Sequence, residues 1–270
     1  LVDNGDGSTE AFVAERFPDV QIVPSRGNVG FAAGNNLLAQ HARGDYILLL
    51  NPDMILRENA IDALFDGVAA HPKASAWGGV TVGRDGRPNS GNAIPKPSLS
   101  EYASAALGRS AQGALPQERL ARDEQVDLLM GGFAMLTKAA WKEADGLDER
   151  YFLYCEEVDL FHRLEQTGHS FWRIAAARGF HEGFHGSANS PLRFLYHAAG
   201  TMEYMRAHWS KPKRMVGFTL FWLCGLERYV AGRFLGRWAG GLRSRANAYR
   251  TIALEPSLWM HGYDEKVGLL

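Results

Sequence analysis

The chain has 270 residues, of which 46% are hydrophobic, and a formal net charge of -1. This is enough apolar material for one substantial α/β domain with an appendage, and it excludes a mini-domain that depends on disulfides. The two cysteines, Cys155 and Cys224, are too far apart for a CxxC metal site, so we expect a reducing, cytoplasmic environment. We also expect no secretion, because Leu1 is not followed by a basic and then apolar signal segment.

Charge is distributed unevenly along the chain. Residues 1–190 carry 17 Lys and Arg against 25 Asp and Glu, whereas residues 191–250 carry 11 against 2. An acidic body is compatible with a metal site and argues against a nucleic-acid-binding surface, while a basic, aromatic tail fits an anionic membrane face. The sequence therefore predicts a domain over residues 1–205 and a helical extension over residues 206–270.

Apolar runs alternate with helical periodicity along the first part of the chain. Strands are predicted at Val20–Pro24, Tyr46–Leu50, Ala74–Val82, Val126–Leu136 and Ser170–Ala175. Helices are predicted at about Phe31–Ala42, Ile61–Val68 and Glu156–Gln166. This alternation predicts an α/β fold with a mostly parallel central sheet covered by helices. Residues 83–125, rich in Gly, Pro, Ser and Arg, are predicted to form a long loop, either a lid or acceptor site or simply variable surface.

A polar tripeptide, Asn51-Pro52-Asp53, ends the apolar run Tyr46–Leu50. Such a run is typical of a central strand buried on both faces, so the tripeptide is expected at the carboxyl edge of the sheet. Ligands bind at that edge in open α/β sheets, and a carboxylate with an amide oxygen suits Mg²⁺ or Mn²⁺ while a diphosphate completes the shell. The alternative is an ordinary turn, which these residues also favour.

Three carboxylates, Glu156, Glu157 and Asp159, follow the aromatic segment Tyr151–Tyr154 at the start of a predicted helix. The helix dipole stabilises acidic side chains in a first turn without any catalytic role. Adjacent carboxylates beside aromatic side chains, however, repel each other and lose hydration, which raises one pKa toward the range of a general base. The crowding therefore favours a catalytic function for this cluster.

Further motifs occur in order along residues 1–205. They are Val2-Asp3-Asn4, the glycine-rich segment Asn28–Asn36, Leu50–Asp53, Gly131–Leu136 and Asp148–Leu160. Together they resemble the family-2 inverting glycosyltransferases of the GT-A fold, particularly the rhamnosyltransferase-like branch. One block alone is a weak signal, whereas the ordered set is specific.

The resemblance implies a role for each block. The implied donor-binding residues are Asp3, which contacts the nucleotide base, and Asn28, Gly30, Asn36, Asn51, Asp53, Gly131 and Gly132. The implied ligands of Mg²⁺ or Mn²⁺ are Asp53 and Asn51, with His181 from a late loop. The implied catalytic residues are Glu157 as general base, Glu156 as a helix-start residue that orients the site, and Asp159 as a supporting or acceptor contact.

The implied reaction transfers a hexose, such as rhamnose, from a dTDP-, UDP- or GDP-linked sugar to a hydroxyl of a glycan or lipid-linked acceptor. The anomeric configuration inverts, and the products belong to cell-wall or polysaccharide biosynthesis. Two departures from the family pattern stand out. The first strand, which supplies part of the base pocket, is expected upstream of Leu1, so the domain is expected to be incomplete at its N-terminus. The usual Glu-Asp pair is here Glu156-Glu157, which makes the presumed base one methylene longer.

The segment His181-Glu182-Gly183-Phe184-His185 matches the zinc-protease signature H-E-x-x-H. That motif functions on a helix, and the glycines in and around this segment disfavour one. The family resemblance instead implies a loop that closes over the diphosphate or metal, with His181 as the first candidate and His185 as the second. Two surface histidines without a function are the alternative.

An uncharged run, Met215–Leu226, lies within the basic tail. As a helix it is about 18 Å long, short of a bilayer core of about 30 Å. The flanking basic and Trp side chains fit an interfacial helix on an anionic leaflet, where lipid-linked acceptors are found. A helix pair that packs on the domain, or a homodimer contact, explains the run equally well.

Three functional hypotheses follow from these observations. A metal-dependent glycosyltransferase is favoured. A nucleotidyltransferase has a similar α/β nucleotide-binding core, but no G-x-G-x-R phosphate loop is visible in the sequence. The third hypothesis is a catalytically silent, membrane-associated protein that binds sugar nucleotides. Unlike the first, it would not turn over a nucleotide sugar.

Overall fold

The computed structural model describes residues 1–83, 92–109, 117–181, 191–235, 240–264 and 268–269. The helices are α1 (Ser8–Arg16), α2 (Gly30–His41), α3 (Ala60–Ala70), α4 (Leu99–Ala106), α5 (Gln117–Leu120), α6 (Lys138–Glu143), α7 (Glu156–Gln166), α8 (Pro191–His208), α9 (Lys211–Leu235) and α10 (Gly240–Leu254). The strands are β1 (Tyr46–Leu50), β2 (Met54–Leu56), β3 (Ala76–Val82), β4 (Ala93–Ile94), β5 (Glu124–Val126), β6 (Leu128–Leu129), β7 (Phe133–Thr137), β8 (Phe171–His181), β9 (Tyr263–Asp264) and β10 (Gly268–Leu269). A 3₁₀ turn, Pro256–Leu258, follows α10.

Six strands form one mixed sheet, in the order β1-β7-β3-β8-β2, with β5 also paired to β8. Within this sheet, β3 and β8 run parallel, and the other pairings among the described strands are antiparallel. The predicted α/β class is confirmed, whereas the predicted mostly parallel arrangement holds only for the β3–β8 pair. Sequence patterns cannot reveal this, because buried strands of either orientation appear as apolar runs.

The central sheet separates two hydrophobic clusters. Because side chains alternate along a strand, Ala76 of β3 belongs to one cluster and Trp77 to the other. On the Trp77 side, α3 contributes Leu64. On the other side, Phe161 of α7 packs its ring 4.8 Å from that of Phe171. This second contact fixes α7, the helix with the predicted carboxylate cluster, against the sheet.

Several predicted elements have the wrong extent. Val20–Pro24 is not a strand; two backbone hydrogen bonds join this segment to Leu1, from Val23 N to Leu1 O (2.7 Å) and from the Leu1 amino group to Gln21 O (2.6 Å). The run predicted at 126–136 is divided into the end of β5, β6 and β7, with Gly131-Gly132 between the last two. The predicted loop 83–125 contains β4, α4 and α5 in its described parts.

The C-terminal helices pack on the domain. Helix α8 continues through the expected boundary at residues 205 and 206. Trp222 Nε1 of α9 donates to Ala253 O of α10 (3.0 Å), and Ile252 and Trp259 are buried in the same cluster as Phe161. Of the interpretations of the tail, packing of the helices on the domain is therefore observed. No helix in the described ranges combines the length and apolar character needed to cross a membrane.

Candidate active site

Backbone contacts bring several predicted site residues together at the end of β1. Asn51 N donates to Gly132 O (3.0 Å), and a Cβ at Gly132 would lie only 2.9 Å from the Asn51 side chain. A Cβ at Gly131 would lie 3.5 Å from the Phe31 ring of α2 and 3.7 Å from Glu157 Cβ of α7. The two glycines therefore allow β1, α2 and α7 to meet at one place.

Asp53 and His181 are neighbours at the same edge of the sheet. Strand β2 pairs with β8 so that Met54 lies opposite His181, and the Asp53 Oδ1 to His181 Nε2 distance is 3.3 Å. The Asp53 side chain is 58% exposed and so is accessible to a ligand. In the described part of the chain no group of three or more His, Cys, Asp or Glu is arranged to hold a metal ion. Asp53 and His181 would supply two ligands to a divalent ion here, and the oxygens of a diphosphate are suitable further ligands.

The zinc-protease interpretation fails at its first histidine. His181 is the last residue of strand β8, whereas the H-E-x-x-H motif requires a helix. Glu182 and His185, the second histidine candidate, lie outside the described residues.

Glu156, which is buried, and Glu157, which is half-buried, are adjacent in the first turn of α7. Glu156 is 4% exposed, and one carboxyl oxygen of each residue, Oε2, is buried without a hydrogen-bond partner. Burial raises the pKa of Glu156 well above its ordinary value, and the charge of Glu157 adds to this. Burial also raises the pKa of Glu157, opposed by backbone donors and by the hydrogen bond with Glu156. Burial therefore raises the pKa of both carboxyl groups, which increases the basicity of Glu157.

Asp159 is bound on another side of α7. Its carboxylate receives hydrogen bonds from Arg163 Nε (2.7 Å), His208 Nε2 (2.7 Å) and Tyr151 OH (3.3 Å). Burial raises the pKa of Asp159, but the contacts with His208 and Arg163 outweigh this effect and lower it. Both oxygens are thus engaged within the protein. Asp159 holds α7 to α8, and these contacts do not support the catalytic role predicted for it.

Asp3 is likewise engaged by the backbone. Its carboxylate accepts hydrogen bonds from the amides of Gly5 (2.6 Å), Thr9 (3.1 Å) and Glu10 (3.2 Å), at the start of α1. In this structure Asp3 therefore stabilises a helix N-terminus, and its contact with a nucleotide base stays a prediction. Its neighbour Asn4 was not among the predicted site residues; its Nδ2 donates to Gly30 O (2.9 Å) and its Oδ1 is buried without a partner.

The glycine-rich segment connects α2 to the turn that precedes α7. Gly30 has a φ of +84°, and a Cβ there would lie 2.4 Å from Phe152 O. Asn28 Oδ1 accepts from Gly30 N (3.2 Å). Asn36 exchanges two hydrogen bonds with the backbone of Leu147 (2.8 and 3.0 Å), so it positions a turn, and its contact with the donor stays a prediction. Asn36 also lines a cavity of about 770 Å³, and neither Glu157 nor Asp53 is among the residues that line it.

We expect Glu156→Gln to stabilise the protein at pH 7. When the pKa of an acid is higher in the folded state than in the unfolded state, its contribution to stability is complete at low pH and is lost as the pH rises through the folded-state pKa. Glutamine does not ionise, so the variant does not lose this stability. The gain in the free energy of unfolding should be on the order of 1 kcal/mol per unit of raised pKa at pH 7 and should vanish near pH 4. Urea denaturation at both pH values measures it. Glu58→Gln, at an exposed position, is the control. A Glu156→Gln protein that is less stable than wild type at pH 7 would contradict a raised pKa of Glu156 in the folded protein.

Comparison with known proteins shows the family of the chain. Residues 1–143 match the family model for glycosyl transferase family 2. The chain is 32% identical over 215 residues to the N-acetylglucosaminyl-diphospho-decaprenol L-rhamnosyltransferase of Mycobacterium tuberculosis, covering 72% of this chain and 69% of that protein. It is 25% identical over 213 residues to rhamnosyltransferase WbbL of Escherichia coli K12, covering 75% and 80%.

Solved structures show the same fold at low identity. A mannosyltransferase from Pyrobaculum calidifontis, in complex with GDP-Man and Mn²⁺, superposes with a TM-score of 0.56 at 13% identity, covering 96% of this chain and 76% of that one. GalNAc-T7 with UDP, GalNAc and Mn²⁺ gives a TM-score of 0.55 at 12% identity, covering 94% and 49%. The predicted GT-A-type α/β fold is confirmed by these neighbours. The chain belongs to glycosyltransferase family 2 and is of the rhamnosyltransferase-like type.

Proposed function

We propose that this glycosyltransferase moves a sugar from its nucleoside diphosphate to an acceptor hydroxyl with inversion, using Glu157 as the general base. The observation that carries the proposal is the half-buried Glu157, which lies next to Gly131 close to the end of β1 and beside the buried Glu156. The names of the two rhamnosyltransferases support rhamnose as the sugar. The diphospho-decaprenol in the name of the mycobacterial relative supports a lipid-linked glycan as the acceptor.

In this mechanism the base and the leaving group lie on opposite sides of the sugar. Glu157 takes the proton of the acceptor hydroxyl as its oxygen attacks the anomeric carbon, and the bond to the diphosphate breaks on the other face. A single displacement of this kind inverts the anomeric configuration. Glu156 is hydrogen-bonded to Glu157 and helps to hold it in place, while burial raises the pKa of both carboxyl groups.

A divalent ion fits the residues at the sheet edge. The exposed Asp53 carboxylate, the adjacent His181 imidazole and the nearby Asn51 amide are the groups that would hold Mg²⁺ or Mn²⁺ together with the donor diphosphate. When bound, the ion supplies positive charge that stabilises the leaving diphosphate. The Mn²⁺ in both structural neighbours supports this assignment.

The outer face of α9 supports a further part of the proposal, attachment to an anionic bilayer from the cytoplasmic side. Val216, Leu223, Val230 and Phe234 are 37–69% exposed and lie on one side of the helix, where Glu227 interrupts them. Lys211, Lys213 and Arg233 are exposed basic residues on the same helix as this apolar stripe. Apolar burial combined with attraction to acidic headgroups is the usual basis of interfacial binding, and it would bring the enzyme to a lipid-linked acceptor.

Removing the basicity of Glu157 should abolish most of the activity. In Glu157→Gln, kcat is expected to fall by on the order of 10²–10⁴, with donor affinity near wild type, because the amide keeps the size of the side chain but accepts no proton. Glycosyl transfer from dTDP-rhamnose to a short-chain lipid diphosphate of N-acetylglucosamine, beside donor binding, measures both. Asp159→Asn is the comparison and should cost stability more than kcat. A near-normal kcat for Glu157→Gln would remove Glu157 from the mechanism.

Loss of the Asp53 carboxylate should remove the metal dependence of donor binding. Asp53→Ala is expected to abolish the Mn²⁺-dependent affinity for dTDP, UDP or GDP in calorimetric titrations. The free energy of unfolding should stay within about 0.5 kcal/mol of wild type, because the side chain is exposed. Asp66→Ala on α3, another exposed acid, should bind as wild type does. Retention of Mn²⁺-dependent affinity in Asp53→Ala would exclude this metal site.

An acidic substitution on the apolar stripe should release the protein from membranes. Phe234→Glu is expected to lower partitioning onto vesicles rich in anionic lipid by at least about tenfold, since it loses one buried aromatic side chain and adds repulsion. Added salt should weaken wild-type binding as well. Phe12→Glu, on the exposed face of α1, is the matched control. If Phe234→Glu changes the oligomeric state and not vesicle binding, the stripe is a homodimer contact instead.

A further inference from the structure

The two residues before α7 have an unusual backbone conformation. Tyr154 and Cys155 both have a φ of +72°. L-residues with side chains seldom adopt the left-handed region, and two in succession are maintained only when the surrounding structure holds them. Because such strain concentrates at functional sites, the contacts that hold this turn are of interest.

Helix α8 provides those contacts. A Cβ at Gly200 would lie 2.3 Å from Tyr154 O and 3.2 Å from its carbonyl carbon, so the turn rests directly on the helix backbone. The next residue, Thr201, is 2% exposed, donates its hydroxyl to His197 O (2.8 Å) and lies 3.8 Å from Cys155 Sγ. A side chain at Gly200 would collide with Tyr154 O, so only glycine at this position lets the turn lie this close to α8.

The turn determines where α7 begins. Cys155 is its N-cap, and Cys155 O accepts the amide of Asp159 (2.9 Å) as the helix starts. Glu156 and Glu157 are the first two residues of that helix. A shift of the turn would therefore move both carboxyl groups relative to Gly131 and the end of β1.

We propose that Gly200 is a positioning residue for the catalytic step: its bare backbone seats the strained turn at 154–155, and the turn directs the carboxylate of Glu157 toward the reacting sugar. This inference rests on the proposed function, in which Glu157 is the base. Gly200 itself touches no substrate in this scheme. Its effect should appear in kcat and in the mobility of the first turn of α7, and not in donor binding.

The test compares two glycine substitutions in the full chain. Gly200→Ala adds a methyl group against Tyr154 O, and Gly217→Ala in α9 adds one that would lie 2.4 Å from the Trp209 ring. Both are expected to reduce stability, but only Gly200→Ala should lower kcat, by on the order of 10- to 100-fold with unchanged affinity for dTDP and Mn²⁺. Only Gly200→Ala should speed amide hydrogen exchange of residues 156–159.

The outcomes separate this inference from the proposed function. One outcome is a Gly200→Ala enzyme with wild-type kcat and wild-type amide hydrogen exchange, while Glu157→Gln is inactive. That outcome would overturn the role of Gly200 and leave the proposed base intact. Wild-type kcat in Glu157→Gln would overturn the proposed base, while the exchange measurement, which needs no substrate, still tests whether Gly200 holds α7. If Gly200→Ala does not fold, the double variant Cys155→Gly/Gly200→Ala relieves the strain. A folded double variant with wild-type kcat would also overturn the inference.

Discussion

The crowding of two adjacent carboxyl groups, the buried Glu156 and the half-buried Glu157, is the constraint on which the rest of the site depends. Two carboxylates this close and poorly hydrated cannot both ionise cheaply, and burial raises the pKa of each. The arrangement is tolerated because other contacts compensate for it. Asp159 ties the same helix to α8 through His208, and the ring of Phe161 packs it onto the sheet. A reactive first turn is thus supported by a rigid remainder of α7.

The mixed sheet brings a second chemical function to the same region from different strands. Asp53 lies between β1 and β2, immediately before Met54, whereas His181 ends β8 and reaches it through the pairing with β2. The proposed base, Glu157, is positioned separately, by α7 and the glycines before β7. This separation suits an inverting displacement, because the leaving diphosphate and the attacking hydroxyl need different partners on opposite sides of one sugar.

Local sequence signals predicted the elements that depend on local physics. The bounds of Tyr46–Leu50 and Glu156–Gln166 match the structure, since an unbroken apolar run and a capped amphipathic segment determine them. The proximity of Asp53 to His181 also followed from the family resemblance. Other features could not be predicted from the sequence, because each depends on partners distant in sequence. They are the strand directions, the hydrogen bonds of Asp3 and Asp159, and the left-handed turn at 154–155. Gly200 carries no signal of its own until its contact with Tyr154 is seen.

The most direct test of the account is a crystal structure with Mn²⁺ and a non-hydrolysable nucleoside diphosphate sugar, with the metal located by its anomalous scattering. The account predicts Mn²⁺ bound by Asp53 and His181 together with the diphosphate, and Glu157 facing the anomeric carbon from the side opposite the leaving group. Mn²⁺ bound away from Asp53, or Glu157 on the same side of the sugar as the diphosphate, would contradict it.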